Sequence, residues 1–194
     1  MKLLVIDNAD YEDRDFNAPL FDAIPTTVDF DILRYSDIAL DGSPDTGYSG
    51  VILSGVPLHY PLETIAVRRR YIDWIRESLS PTLGICIGHQ SLGLLFGAST
   101  IQNTEAEDGE CEITTLKDDR ILRGIPRQFN ARLIHTCSIT LPPNFTLLAS
   151  SSRCRNQIMK HNEKDLYGLQ FHPELSDIGA ILLQNFIDIA RQTK

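Results

Sequence analysis

The sequence predicts one α/β domain built on a mixed, mostly parallel sheet with helices on both faces. Three observations carry that prediction. Short, continuously apolar runs alternate with helical patterns through the first half, as βαβ units require. The second half turns to closely spaced strand patterns joined by tight turns, which points to an antiparallel part of the same sheet. Finally, 194 residues with 42% apolar and 23% charged side chains suit a single globular domain over residues 1–194, able to bury a core without staples.

The elements follow in order. Residues 3–6 (LLVI) read as a strand buried on both faces. Residues 16–23 read as a helix with Pro19 in its first turn, where proline is tolerated, and residues 30–33 as a second strand. Residues 40–47 (LDGSPDTG) carry turn chemistry. A third strand over 48–53 (YSGVIL) ends at Ser54-Gly55-Val56-Pro57. A helix over 63–79 places Ile65, Ile72, Ile75 and Leu79 on an apolar stripe, with Arg68, Arg69, Arg70 and Arg76 in water. A fourth strand over 81–85 runs into Cys86 and a helical pattern over 89–96. Strand candidates at 112–116, 132–134, 146–149, 157–160 and 166–171 follow, with a turn at Leu141-Pro142-Pro143-Asn144. An amphipathic helix over 177–190 turns Ile178, Ile181, Leu182, Phe186 and Ile189 inward.

Composition excludes several classes. Twenty-six acidic against 18 basic side chains give a formal charge of −8, a surface that repels phosphate backbones, so no nucleic-acid partner is expected. No apolar run spans a bilayer, and MKLLVIDNADYEDRD turns acidic too early for a secretion signal. Cys86, Cys111, Cys137 and Cys154 are unevenly spaced, which suits free thiols in a reducing cytoplasm. No CxxC pair supports a zinc site, so no metal is expected.

The most informative segment is Thr82-Leu83-Gly84-Ile85-Cys86-Ile87-Gly88-His89-Gln90. A buried strand enters a tight turn and then a helix, with glycines two residues to each side of Cys86. Such an elbow thrusts the central side chain above the sheet. The glycines remove Cβ atoms where strand and helix pack closely. The helix N-terminus favours negative charge and so suits a thiolate. Most buried cysteines are inert; this setting is what singles out Cys86. A thiolate nucleophile needs a base, and the base an orienter. His89 is near in sequence, but three residues along a helix it points away from the apex. Gly168-Leu169-Gln170-Phe171-His172-Pro173-Glu174 is the better source: a strand ends at His172, Pro173 stops the ladder, and Glu174 can hold the far imidazole nitrogen. His59 and His161 read as surface histidines.

These segments resemble the class I (triad) glutamine amidotransferases along nearly the whole chain. Gly84-Ile85-Cys86-Ile87-Gly88-His89-Gln90 matches the family's G-x-C-x-G-x-Q elbow, and Gln170-Phe171-His172-Pro173-Glu174 its Q-F-H-P-E segment. Leu53-Ser54-Gly55-Val56-Pro57 stands where the family has its Gly-Gly-Pro oxyanion loop, and Glu107-Asp108-Gly109 near a family E-x-G segment. Within the family the chain is most similar to the branch of stand-alone amidotransferase subunits of GMP synthase, by length, element order and residues 124–131 (GIPRQFNA). Three departures stand beside the match. Val56 replaces the second glycine, Ile134-His135-Thr136-Cys137 replaces Ser-His-x-Asp, and Asp7-Asn8-Ala9-Asp10-Tyr11 lacks the glycine-glycine-glutamine start.

The resemblance implies a flavodoxin-like three-layer fold. It implies Cys86 as nucleophile, His172 as base and acid, and Glu174 as orienter. The N–H groups of Val56 and Ile87 would hold the oxyanion, and Gly55, Gln90 and His135 would contact the substrate, L-glutamine. His135 reads equally as an interface residue or an ordinary buried histidine. The reaction needs no cofactor. With no P-loop in the chain, an ATP-dependent synthetase subunit would receive the ammonia. Two other readings use the same residues: a stand-alone hydrolase of γ-glutamyl amides or peptides, and a catalytically silent binding module.

Overall fold

A computed structural model of the chain describes residues 1–40, 42–44 and 47–192. Asp41, Asp45 and Thr46 of the expected 40–47 turn lie outside the described residues. The strands are β1 (Lys2–Asp7), β2 (Asp29–Arg34), β3 (Gly50–Leu53), β4 (Thr82–Ile85), β5 (Thr100–Thr115), β6 (Gln128–Ile139), β7 (Phe145–Ser150), β8 (Ile158–His161) and β9 (Leu166–Leu169). They form one sheet in the order β2-β1-β3-β4-β9-β8-β7-β5-β6. The pairs β1–β2, β1–β3, β3–β4 and β4–β9 are parallel, and the rest are antiparallel. The expected mixed sheet is therefore present, but it is not mostly parallel: half of its strand pairings are antiparallel, because the second half of the chain adds hairpin-connected strands.

Alternation in β1 shows why both faces are covered. Leu3 and Val5 point into a core shared with Leu20, Leu182 and Phe186, under helices α1 (Ala18–Ala23) and, at the chain's end, α4 (Gly179–Gln192). Leu4 and Ile6 point the other way, against Ile72, Ile75, Leu92 and Leu95. Those residues come from the segment containing α2 (Glu63–Arg69) and from α3 (Ile87–Leu95). The parallel register of β4 with β9 pairs Gly84 with Gly168 and Ile85 with Leu169. Chain segments leaving these two strands therefore emerge side by side at the carboxyl edge, where ligands bind in such sheets.

The structure corrects several expectations. The helix over 63–79 stops at Arg69 and tightens into a 3-10 segment over Arg70–Arg76, where Tyr71, Ile72, Trp74 and Ile75 have weak helix propensity. Leu79 lies beyond it and is 83% exposed. Arg68 is not in water: it is 3% exposed, paired with Asp10 at 3.0 Å and stacked over Tyr35 at 4.1 Å. A cation partnered on every side can be buried. Ile181 faces outward at 42% exposure. His161 is buried between Phe96 and Phe145, and its Nδ1 accepts from the N–H groups of Glu163 and Lys164. The separate strands expected at 112–116 and 132–134 are parts of a long β5–β6 pairing, with an irregularity between Gln102 and Glu107.

Candidate active site

Cys86 sits between β4 and α3 with φ 50° and ψ −108°. Among the described residues, it and Asn144 are the non-glycine residues with positive φ. L-residues avoid that region, and strain of this kind persists only where the surroundings impose it. Here they do. The Cys86 N–H donates to the Leu169 carbonyl at 2.8 Å, and the Gln90 N–H donates to the Cys86 carbonyl at 3.0 Å. A Cβ on Gly84 would lie 2.6 Å from the Gly88 carbonyl carbon, and one on Gly88 would strike the Leu53 carbonyl oxygen. Strand and helix thus meet without side chains between them. The Cys86 thiol is nearly buried and reaches the Ile134 carbonyl at 3.6 Å.

His172 arrives from β9. Its N–H donates to the Arg132 carbonyl at 2.9 Å, bridging to β6. The Ser176 hydroxyl donates to the His172 carbonyl at 2.7 Å and accepts from the Arg132 N–H at 3.0 Å. Pro173 starts a one-turn 3-10 helix that brings Glu174 back under the ring. Nδ1 of His172 and Oε1 of Glu174 are 2.7 Å apart, both side chains buried. A carboxylate acceptor holds the hydrogen on Nδ1 and leaves Nε2 on the side of the ring away from Glu174. Nε2 makes no hydrogen bond of ordinary geometry. The ring stands edge-on to Phe16 and lies so close to Gly55 that a Cβ there would strike Cε1. Burial alone would lower the imidazole pKa, but the neighbouring charges of Cys86 and Glu174 outweigh it and hold the pKa above its ordinary value.

Cys86 opens on a pocket of about 270 Å³, lined among others by Val56, Ile87, Gln90, His135 and Cys137. Ile87 opens α3, so its N–H has no acceptor within the helix. Val56 avoids positive φ, as expected of a residue preceding Pro57. Gln90 lines the pocket, but its amide nitrogen donates to the Cys137 carbonyl at 2.7 Å and to Gln170 at 3.1 Å. Gly55 lies against the His172 ring and outside the pocket lining. His135 lines the pocket, with Nδ1 3.2 Å from the Asn103 amide nitrogen and Nε2 3.8 Å from Glu107. Burial and the nearby His172 push the His135 pKa down to about 4, and burial raises that of Glu107, so the pair is not an ion pair at neutral pH. Among the described residues no group of three or more His, Cys, Asp or Glu side chains is arranged to hold a metal ion, and all four cysteines are free.

His89 points away from the elbow's apex, into the fold against Gly168. Burial and the nearby His135 push its pKa down to about 3. Both neutral imidazoles would protonate near pH 6.5 in the unfolded chain. The stability they contribute is full above that value and falls as acid approaches their folded-state values. At pH 5 the loss is about 2 kcal/mol for each. His89→Gln is expected to remove its share, measured as a smaller drop in urea-unfolding free energy between pH 7 and pH 5. An unchanged drop would sink that account of His89.

Residues 21–188 match the family described as glutamine amidotransferase class-I. The chain is 38% identical over 141 residues to the glutamine-hydrolysing GMP synthase subunit of Pyrococcus abyssi, covering 71% of this chain and 73% of that protein. It is 31% identical to the corresponding subunit of Methanothrix thermoacetophila, covering 99% of this chain and all of the other. A crystal structure from Thermoplasma acidophilum, described as a candidate GMP synthase subunit, superposes with a TM-score of 0.84 at 30% identity, covering 99% of this chain and 94% of that one.

Proposed function

The chain belongs to the class-I glutamine amidotransferases, and on that premise we propose that it is the glutamine-hydrolysing subunit of a GMP synthase, with Cys86, His172 and Glu174 as its catalytic residues. One observation carries the residue roles: a strained cysteine at the strand's end shares its surroundings with an imidazole whose far nitrogen is held by a buried carboxylate.

Cys86 attacks the side-chain amide carbon of glutamine. The carbonyl electrons move to oxygen, held by the N–H groups of Val56 and Ile87. His172 then delivers its Nε2 proton to the leaving nitrogen, the C–N bond breaks, and ammonia departs from a γ-glutamyl thioester. Water, losing a proton to His172, adds to that thioester. Its collapse returns the Cys86 thiolate and releases glutamate. Glu174 stays ionised and keeps the ring oriented.

The curated relatives are subunits of GMP synthase, which supports delivery of the ammonia to an ATP-dependent synthetase subunit. Free thiols, and the absence of a described helix long and apolar enough to cross a membrane, support a cytoplasmic setting. The isolated chain is expected to hydrolyse glutamine weakly, with stimulation of at least about tenfold when the synthetase and its nucleotide substrates are added, read as glutamate release. Vigorous cleavage of γ-glutamyl peptides without a partner, and no stimulation by one, would favour the stand-alone hydrolase instead.

A further inference from the structure

We infer that Asn17 is a positioning residue that sets the Gly55–Val56 peptide plane, whose N–H is the oxyanion donor assigned to Val56 above; the inference rests on that reading.

Asn17 is the residue from which α1 starts, and asparagine there ordinarily accepts from the helix's first free N–H groups. In this structure it makes no such bond. Its side chain is fully buried and turns instead toward the loop after β3. The amide nitrogen lies 2.7 Å from Asp7 Oδ1, 2.9 Å from Ser54 Oγ and 3.3 Å from the Gly55 carbonyl oxygen. A carboxylate and a carbonyl only accept, so the atom facing them is the NH₂ group. Its own Oδ1 is left buried without a partner, an unfavourable arrangement for a side chain serving only its own helix.

The Gly55 carbonyl has a second donor, the Ser54 hydroxyl at 3.2 Å, which in turn accepts from the Asn8 N–H at 2.9 Å. The Asn8 amide donates to the Ser54 carbonyl at 2.8 Å. Both peptide planes before Val56 are therefore held from the β1 side. In a trans peptide, C=O and N–H point in opposite directions. Fixing the Gly55 oxygen toward Asn17 turns the Val56 N–H away from this network, and Val56 lines the pocket that holds Cys86. Valine and the following proline cannot offer the backbone freedom of a second glycine, so the side-chain clamp does the orienting.

The test is Asn17→Ser, assayed as the full chain with its synthetase partner. Serine can cap α1 but is too short to reach Gly55, so folding survives while the clamp is lost. Asn17→Ala, lacking both contacts, is the companion. Expected for Asn17→Ser is a fall in kcat of about ten- to a hundredfold, less than the 10²–10³ typical of deleting an oxyanion donor itself, with KM for glutamine unchanged. Alkylation of Cys86 by iodoacetamide, a displacement that develops no oxyanion, should keep its wild-type rate. Wild-type kcat in Asn17→Ser, or alkylation falling in step with kcat, overturns the inference. Absence of glutamine hydrolysis in the wild-type pair would instead show in the unsubstituted chain and overturn the proposed function with it.

Discussion

Cys86→Ala and Cys86→Gly are both expected to lose glutamine turnover by at least about a thousandfold, the order of effect seen when a nucleophile is removed, yet to differ in stability. Both delete the thiol. The alanine variant keeps a Cβ at φ 50°, ψ −108°, whereas glycine adopts such angles freely. Backbone strain at a functional position costs on the order of 1–3 kcal/mol, so the glycine variant should be the more stable by about that amount in urea unfolding. The lost thiol contacts cancel in the comparison, which sets the relieved strain against glycine's larger loss of backbone entropy on folding, about 0.5–1 kcal/mol. Turnover retained by either variant would remove Cys86 from the nucleophile's role, and equal stabilities would mean that the elbow's strain does not exceed glycine's entropy cost.

How much of this was legible follows from where each signal resides. The parallel half could be read because β1, β3 and β4 are buried on both faces and their runs are unbroken. The β5–β6 pairing could not. From Glu105 to Glu112 acidic residues recur along the strand, and its bond to the partner strand is irregular between Gln102 and Glu107, so no apolar alternation marks it. Arg68 read as solvated because the partners that bury it, Asp10, Tyr35 and Tyr60, come from elsewhere in the chain.

The site divides the same way. Cys86 and His172 each carry a local signature, glycine spacing in one case and a proline-stopped strand in the other. That they meet depends on β4 pairing with β9, which no local pattern states and the family resemblance implied. Gly55 was expected to touch substrate; what the sequence did not show is that the His172 ring requires its lack of a Cβ. Asn17 was invisible, because an asparagine before a helix reads as a cap, and its partners Asp7 and Ser54 lie 10 and 37 residues away.

His172→Ala is expected to abolish turnover and to cost about 3–5 kcal/mol of stability, the penalty of breaking a buried pair from one side. The Glu174 side chain is 3% exposed and Oε2 has no hydrogen-bond partner, so losing the bond from Nδ1 strands the carboxylate. Adding Glu174→Ala should therefore recover part of the loss rather than add to it, a coupling that a double-mutant cycle measures. The imidazole's own titration, followed by NMR, tests the third member. In the wild type it should lie above the ordinary histidine value, since Cys86 and Glu174 outweigh burial. That raised pKa also signs the pH effect: the charged ring contributes its stability fully below about pH 6.5, and the contribution fades as pH rises through the folded-state value. Glu174→Gln should lower the titration by removing one charge. In Cys86→Ala, burial regains weight and the titration should again move down. A titration indifferent to Cys86→Ala would mean that thiol and imidazole do not sense one another, and the hydrolysis mechanism would lose its proton donor.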